Sequence, residues 1–139
     1  MSVLMPKKVK HRKWRKGRSR GVETRATRLA FGSFGLKALE AKWISGKQIE
    51  SARRTILRYL KKRGKLWIRI FPDKPITRKG TEVPMGCGKG AVEFYAFPIK
   101  PGRLIFELDG IPKDQAQEAF RKAGAKLPIK TKFIQQQEV

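Results

Sequence analysis

The chain has 139 residues, of which 40% are hydrophobic, and its 34 Lys and Arg against 11 Asp and Glu give a formal net charge of +23. This length suits one domain with a buried core, and the hydrophobic content argues against a wholly disordered chain. A compact domain with this charge repels itself in solution, so the composition predicts a polyanionic partner, of which nucleic acid is the commonest.

The first 28 residues are predicted to be a basic extension of a single domain that spans residues 1–139. They carry eleven Lys or Arg against Glu23 alone, and the first 20 residues contain no acid. Lys and Arg neutralise phosphates, while an indole can stack on an unpaired base. A tail that only improves solubility is the alternative, but such a tail need not exclude acids. The predicted RNA-binding residues of this arm are Lys7, Lys8, Lys10, Arg12, Lys13, Trp14, Arg15, Lys16, Arg18 and Arg20.

The N-terminal arm does not have the pattern of a targeting segment. No apolar run approaches the roughly 20 residues that cross a bilayer, and the arm lacks the apolar stretch of a secretory signal. An organellar transit peptide relies on an amphipathic helix, which Pro6, Gly17 and Gly21 disfavour. We therefore expect the arm to belong to the mature protein, and we expect no membrane partner.

The clearest helix is predicted to begin after Ser45. This residue stands three positions before Gln48, the spacing of a capping box, and Gly64 is the predicted stop. The predicted apolar stripe consists of Ile49, Ala52, Ile56 and Leu60. The Lys and Arg residues outside this stripe have one alternative interpretation, a solvent-exposed face whose charges only complement the helix dipole. The overall charge favours a face that binds RNA, with candidate residues Arg53, Arg54 and Arg58.

The rest of the chain alternates between short strands, loops and one further helix. Residues 29–44 are predicted to be extended with a bend near Gly32 and Gly35. The later predicted elements are a strand at 66–71 ended by prolines, a long Gly/Lys-rich loop at 76–90, an antiparallel hairpin of strands 91–97 and 103–108 covered on both faces, a helix from about Pro112 and Asp114, and a strand at 129–134. This order predicts an α+β fold: a mostly antiparallel sheet with two helices packed on it and an extended basic N-terminal arm.

The glycine-rich part of the long loop is a second candidate site. Its residues 85–90 are not a nucleotide-binding P-loop, because Lys89 is followed by Gly90 and a strand rather than by Ser or Thr and a helix. Glycines would let the backbone approach a partner closely, although a plain mobile loop has the same composition. The candidate residues are Met85, Gly86, Gly88, Lys89 and Gly90.

The sequence offers no catalytic or metal-binding set. The single histidine, His11, lies in the arm, and the single cysteine, Cys87, has no base partner, so an internal disulfide, a His/Cys zinc site and a nucleophilic triad are all excluded. The acids Glu82, Glu93, Glu107 and Asp109 are expected to pair with nearby cations rather than to act as acid and base. We therefore expect neither an enzyme nor a cofactor.

These segments, in this order, resemble the family of the bacterial-type large ribosomal subunit protein number sixteen. The matching stretches are PKKVKHRKWRKGR (6–18), FGSFGLKA (31–38), IESARR (49–54), WIRIFPDKPIT (67–77), MGCGKGAVEF (85–94), PGRLIFEL (101–108) and AKLPIKTKF (125–133). The resemblance covers nearly the whole chain, and the run through residues 71–75 is specific.

The resemblance implies a non-enzymatic structural component of the large subunit, in the ribosome of a bacterial cytoplasm or of an organelle of bacterial descent. It implies that residues 7–20 thread between helices of the large-subunit ribosomal RNA. It also implies contacts of the protein with neighbouring ribosomal proteins, and no homo-oligomer. Residues 85–90 would face tRNA in the A site, with P-site tRNA as a second expected contact. The rival interpretation is an RNA-processing or RNA-modifying enzyme with a basic arm, and a third is a cationic membrane-surface peptide.

Two positions depart from the family pattern. Pro84 stands where many bacterial members have an arginine before the Met-Gly of the loop, so no contact or modification of that arginine is carried over. Tyr95 replaces a tryptophan that is common in the family, which keeps an aromatic side chain in place.

Overall fold

The computed structural model describes residues 4–82, 85–86 and 88–136. Within these residues the chain forms seven strands and two helices, which confirms the predicted α+β class. The elements are β1 Phe34–Ala38, β2 Lys42–Ser45, α1 Gly46–Leu60, β3 Lys65–Ile68, β4 Lys74–Arg78, β5 Ala91–Ile99, β6 Leu104–Asp109, α2 Lys113–Gly124 and β7 Thr131–Gln135.

The strands form two antiparallel sheets rather than one. The four-stranded sheet has the order β3-β6-β1-β7, and the three-stranded sheet has the order β2-β5-β4. The predicted hairpin between β5 and β6 is therefore wrong, because the two strands belong to different sheets. β6 is buried along nearly its whole length and takes an inner position in the larger sheet, whereas the first residues of β5 are largely exposed. Both strands were predicted to be covered on both faces, and this holds for β6 but not for β5.

Three strands lie where the sequence predicted only extended chain or loop. The extended segment 29–44 contains β1 and β2, and β4 occupies the start of the predicted loop, which begins after Arg78 instead of at residue 76. Pro75 lies within β4 because β4 is an edge strand, where a residue without an N–H leaves no ladder bond unmade. The strand predicted at 66–71 ends at Ile68.

Helix α1 begins as predicted. The Ser45 backbone N–H donates to Gln48 Oε1 at 2.9 Å, and the Gln48 N–H donates to Ser45 Oγ at 3.3 Å, which completes the capping box. The four residues of the predicted stripe are at most 2% exposed. The helix ends before Gly64, however, because Lys61 takes the left-handed conformation at φ 50°. Gly64 serves a close approach instead: a Cβ there would lie 2.7 Å from the Asp109 carbonyl oxygen.

The core lies between the two helices and the two sheets: α1 contacts β2 and β5 of the three-stranded sheet, and α2 contacts β1 and β7 of the four-stranded sheet. Helix α2 begins after Pro112, as predicted, and contributes Ala116, Ala119, Phe120 and Ala123 to this core. Neither helix in the described part of the chain is long and apolar enough to span a membrane.

Candidate nucleic-acid interface

The segment that leads into β1 lies on the domain. The Glu23 N–H donates to the Pro101 carbonyl at 2.9 Å, the Leu104 N–H donates to the Ala26 carbonyl at 2.9 Å, and the Ser33 N–H donates to the Leu108 carbonyl at 3.0 Å. The last part of the predicted extension 1–28 is thus bonded to the domain, and the cations before residue 21 form the arm proper.

A buried carboxylate holds this segment in place. Glu107 is fully buried, and its Oε1 accepts the backbone N–H groups of Ala30, Phe31 and Gly32 at 2.9, 3.1 and 3.2 Å. Arg69 Nη1 donates to the other carboxylate oxygen. Burial alone would raise the pKa of Glu107, but the bonds from Arg69 and the three N–H groups lower it below its ordinary value. An ion pair of Glu107 with a nearby cation was predicted from the sequence, but its three backbone N–H donors were not.

We expect Glu107→Gln to lower the free energy of unfolding by about 2 kcal/mol at neutral pH, since it removes a charge-assisted bond from a buried site. The folded-state pKa of Glu107 is depressed, so this contribution is complete above the unfolded pKa and is lost as the pH falls through the folded pKa. The difference between the two proteins in urea denaturation should therefore shrink below about pH 4. Glu118→Gln is the control, because the Glu118–Arg121 pair is exposed and such pairs contribute little. A difference that does not change with pH would contradict this role of the charge.

The arm is a run of exposed, uncompensated cations. All nine Lys and Arg predicted in residues 7–20 are exposed, and Trp14 is 38% exposed. No ion pair joins any of these nine side chains to a carboxylate in the part of the chain that the structure describes. The positive charge is therefore open to a partner.

Part of the arm contacts the glycine-rich loop. Lys13 Nζ donates to the Lys89 carbonyl at 3.1 Å, and Lys89 Nζ donates to the Trp14 carbonyl. These residues are 75 and 76 positions apart in the chain, so the sequence offered no signal for the contact. The two predicted RNA-binding sites are thus adjacent.

Lys74 fastens the arm to the three-stranded sheet. It is only 7% exposed, its Nζ donates to the Lys16 carbonyl, and the same nitrogen lies 4.4 Å from the centroid of the Trp43 ring. Burial lowers the pKa of Lys74, and the charges of Lys89 and Lys16 lower it further. Lys74 was not among the predicted site residues, because its role depends on a neighbour 58 residues away.

The glycines of the loop have two different roles. Gly86 and Gly88 have φ angles of 99° and 84°, with no atom within 4 Å of an added Cβ, so they are needed for conformation only. At Gly90 a Cβ would lie 2.6 Å from the Arg78 carbonyl, which explains this glycine by strand packing rather than by a partner. Met85 is 92% exposed and Lys89 is exposed. The positions of Pro84 and Cys87 lie outside the described residues.

The three candidate arginines of α1 are not equivalent. Arg53 Nε donates to Glu50 Oε2 at 2.8 Å, and Arg54 Nε donates to Glu50 Oε1 at 3.1 Å. The bond from Arg53 lowers the pKa of Glu50 against the opposing effect of burial. Arg58 is exposed and borders a groove together with Lys47 and Lys126, without an ion pair to another described residue. Arg58 is therefore the strongest candidate on this helix.

The acids Glu93, Glu107 and Asp109 have ion-pair or hydrogen-bond partners within residues 4–82, 85–86 and 88–136. These ranges contain no group of three or more His, Cys, Asp or Glu that could hold a metal ion. Glu93 pairs with Arg78 at 3.5 Å, and Glu107 with Arg69, as predicted. Asp109 instead accepts a hydrogen bond from the Ser33 hydroxyl at 3.0 Å.

Comparison with known proteins assigns the family. The family model described as Ribosomal protein L16p/L10e matches residues 6–134. A protein of Parabacteroides distasonis named "Large ribosomal subunit protein uL16" is 56% identical over 132 residues, which is 95% of this chain and 92% of the relative. A protein of Porphyromonas gingivalis with the same name is 54% identical over the same shares. These are ribosomal proteins and not enzymes, and the chain belongs to the ribosomal protein L16p/L10e family.

Proposed function

We propose that the protein is a component of the large ribosomal subunit, binds large-subunit ribosomal RNA through the arm and Arg58, and presents the loop of residues 85–90 to tRNA. The observation that carries this proposal is the arm: nine exposed cations, none paired with a described carboxylate. Relatives of nearly the same length are named as large-subunit proteins, which supports the same assembly for this chain. Its expected partners are ribosomal RNA, tRNA and neighbouring ribosomal proteins within the ribosome.

Electrostatics favours a partner with a regular array of phosphates. Each cation that neutralises a phosphate releases condensed counterions, so a run of unpaired Lys and Arg contributes strongly to affinity for RNA. A cationic membrane-surface peptide would need an exposed apolar helix face, but the apolar stripes of α1 and α2 are both buried in the core. An RNA-modifying enzyme is disfavoured by the family.

The contact between arm and loop supports the second half of the proposal. Because Lys13 and Trp14 are hydrogen-bonded to Lys89, ribosomal RNA that holds the arm would also limit the movement of the loop. The described residues of the loop tip are open to a partner: Met85 is almost fully exposed, and a Cβ added at Gly86 or Gly88 would have no atom within 4 Å. This geometry suits a tip that reaches a second RNA while its base is held on the first.

We expect that replacing residues 80–88 with a tight turn leaves the protein folded and still incorporated into large subunits, because this segment contains few apolar side chains. Particles that carry this variant should bind A-site or P-site tRNA more weakly, or elongate more slowly. Incorporation is measured by sedimentation of cell extracts with detection across subunit fractions, and tRNA binding is measured on the purified particles. The control is a loop of unchanged length rebuilt from Gly and Ser. It keeps the length of the loop but removes its side chains, so it separates the effect of side-chain contacts from the effect of loop length. Failure to incorporate would make the loop an assembly element, and normal tRNA binding with normal elongation would make it inert; either result contradicts the proposed role.

A further inference from the structure

An aromatic pair lies on the domain, outside the arm and the loop, with Phe31 exposed and Trp67 half-buried. The rings of Phe31 and Trp67 are stacked with centroids 5.9 Å apart and planes 20° from parallel. The Arg69 guanidinium carbon lies 5.2 Å from the Phe31 centroid, and Lys65 Nζ lies 5.2 Å from the Trp67 centroid. Two aromatic rings and two cations thus form one continuous surface, which we call the aromatic platform.

The position of the platform is fixed from below by buried groups. Glu107 binds the N–H of Phe31 and of both its neighbours, and it also binds Arg69, which lies against the Phe31 ring. A side chain at Gly32 is excluded, because a Cβ would lie 2.5 Å from the Leu108 carbonyl oxygen. Trp67 stands on β3, whose register places it opposite Glu107 in β6. The platform is therefore preorganised and needs no rearrangement to accept a ligand.

The fold itself does not require an aromatic ring at position 31. Phe31 is 56% exposed and is not among the residues that pack into the core cluster. This exposure remains although Trp67 and Arg69 both lie against the Phe31 ring, so a large part of the ring is accessible to a ligand. Exposed cations precede Trp67 along the chain, at Lys61, Lys62, Arg63 and Lys65.

We propose that the aromatic platform binds an unpaired base of RNA, which stacks on the accessible part of the Phe31 ring while Lys65 and the exposed cations of residues 61–63 contact the flanking phosphates. The flat aromatic face fits a nucleobase, and the surrounding charge fits its backbone, whereas a protein partner would gain little from four neighbouring cations. The nearby acid Asp109 accepts hydrogen bonds from the Ser33 hydroxyl and from the backbone N–H of the next residue, Gly110, so its charge is engaged within the domain. This inference rests on the proposed RNA-binding function and adds a preference: the arm recognises phosphates in any RNA, but the platform requires a base outside a helix.

The experiment compares Phe31→Ala, Phe31→Tyr and the unchanged protein for binding to a short oligouridine and to an RNA duplex of the same length. We expect Phe31→Ala to raise the Kd for the single strand at least about fivefold, which corresponds to the loss of one base stack, and to leave the Kd for the duplex unchanged. Phe31→Tyr keeps the ring and should stay near the unchanged protein. Ultraviolet crosslinking should place a uridine on the peptide that contains Phe31 or Trp67. Thermal unfolding of each variant checks the fold, which a change at an exposed side chain should leave intact.

Stacking has little dependence on salt, so Phe31→Ala should shift the binding curves without altering their salt slope. This separates the inference from the proposed function, which depends on that slope. An unchanged Kd for the single strand in Phe31→Ala, or an equal loss in Phe31→Tyr, would overturn the platform while leaving arm binding intact. A loss that is equal for single strand and duplex would also overturn it, since the ring would then act on the cations and not on a base.

Discussion

Replacing six exposed cations of the arm with glutamine is expected to make the slope of log affinity against log salt shallower by about two to five units for ribosomal RNA fragments. The range follows from about 0.7 to 0.9 units per neutralised phosphate when between half and all of the six side chains contact one. The six residues are Lys7, Lys8, Lys10, Arg12, Arg15 and Arg18, which are all exposed. Slopes are measured by filter binding or fluorescence anisotropy over a salt series.

Substitution is a cleaner test than removal of residues 1–20. Removal would also take away Leu4, which packs against the core, and the Lys16 carbonyl that accepts the Lys74 hydrogen bond. The control variant neutralises Lys113, Lys130 and Lys132, which are exposed on α2 and on or beside β7. The change in salt slope per neutralised charge should be larger in the arm variant than in this control. If the two changes per charge are equal, the arm only improves solubility.

Features set by neighbours close in sequence were predicted correctly. The capping box of Ser45 and Gln48 depends on a three-residue spacing, and the buried stripe of α1 depends on helical periodicity, so both can be recognised without knowledge of the fold. The exposed charge of the arm could be predicted in the same way, because nine cations without an acid in 20 residues have no partner close in the sequence.

Features that depend on pairing between distant parts of the chain were not predicted correctly. The apolar strands β5 and β6 follow each other closely, which favours a hairpin locally, but β6 pairs with β1 and β3, and β5 pairs with β2 and with β4 across the long loop. The same limit applies to the Lys74 contact with the arm and to the meeting of Phe31 with Trp67 across 36 positions. Two local signals were available: Pro75 is compatible with an edge strand, and Gly32 marks a close approach of two backbones.

Ile56→Asp is expected to lower the free energy of unfolding by about 4 kcal/mol or more, because it places a carboxylate at a fully buried position and removes the packing of an isoleucine. That loss is a large part of the total stability of a domain of this size, about 5–15 kcal/mol. Chemical denaturation at neutral pH measures it. Arg58→Asp, two residues away on the exposed face, is the matched comparison.

Arg58→Asp should cost less than about 1 kcal/mol of stability, mainly because it exchanges a cation for an anion in the last turn of the helix. Its expected effect is on binding, where reversing one charge should reduce the salt slope for ribosomal RNA by about one or two units. Arg54→Gln adds a further comparison, since Arg54 is already bonded to Glu50 and should contribute less to RNA binding than Arg58. If Arg58→Asp changes neither the affinity nor the slope, the charge at this position serves only the helix dipole, and the interface is confined to the arm, the loop and the aromatic platform.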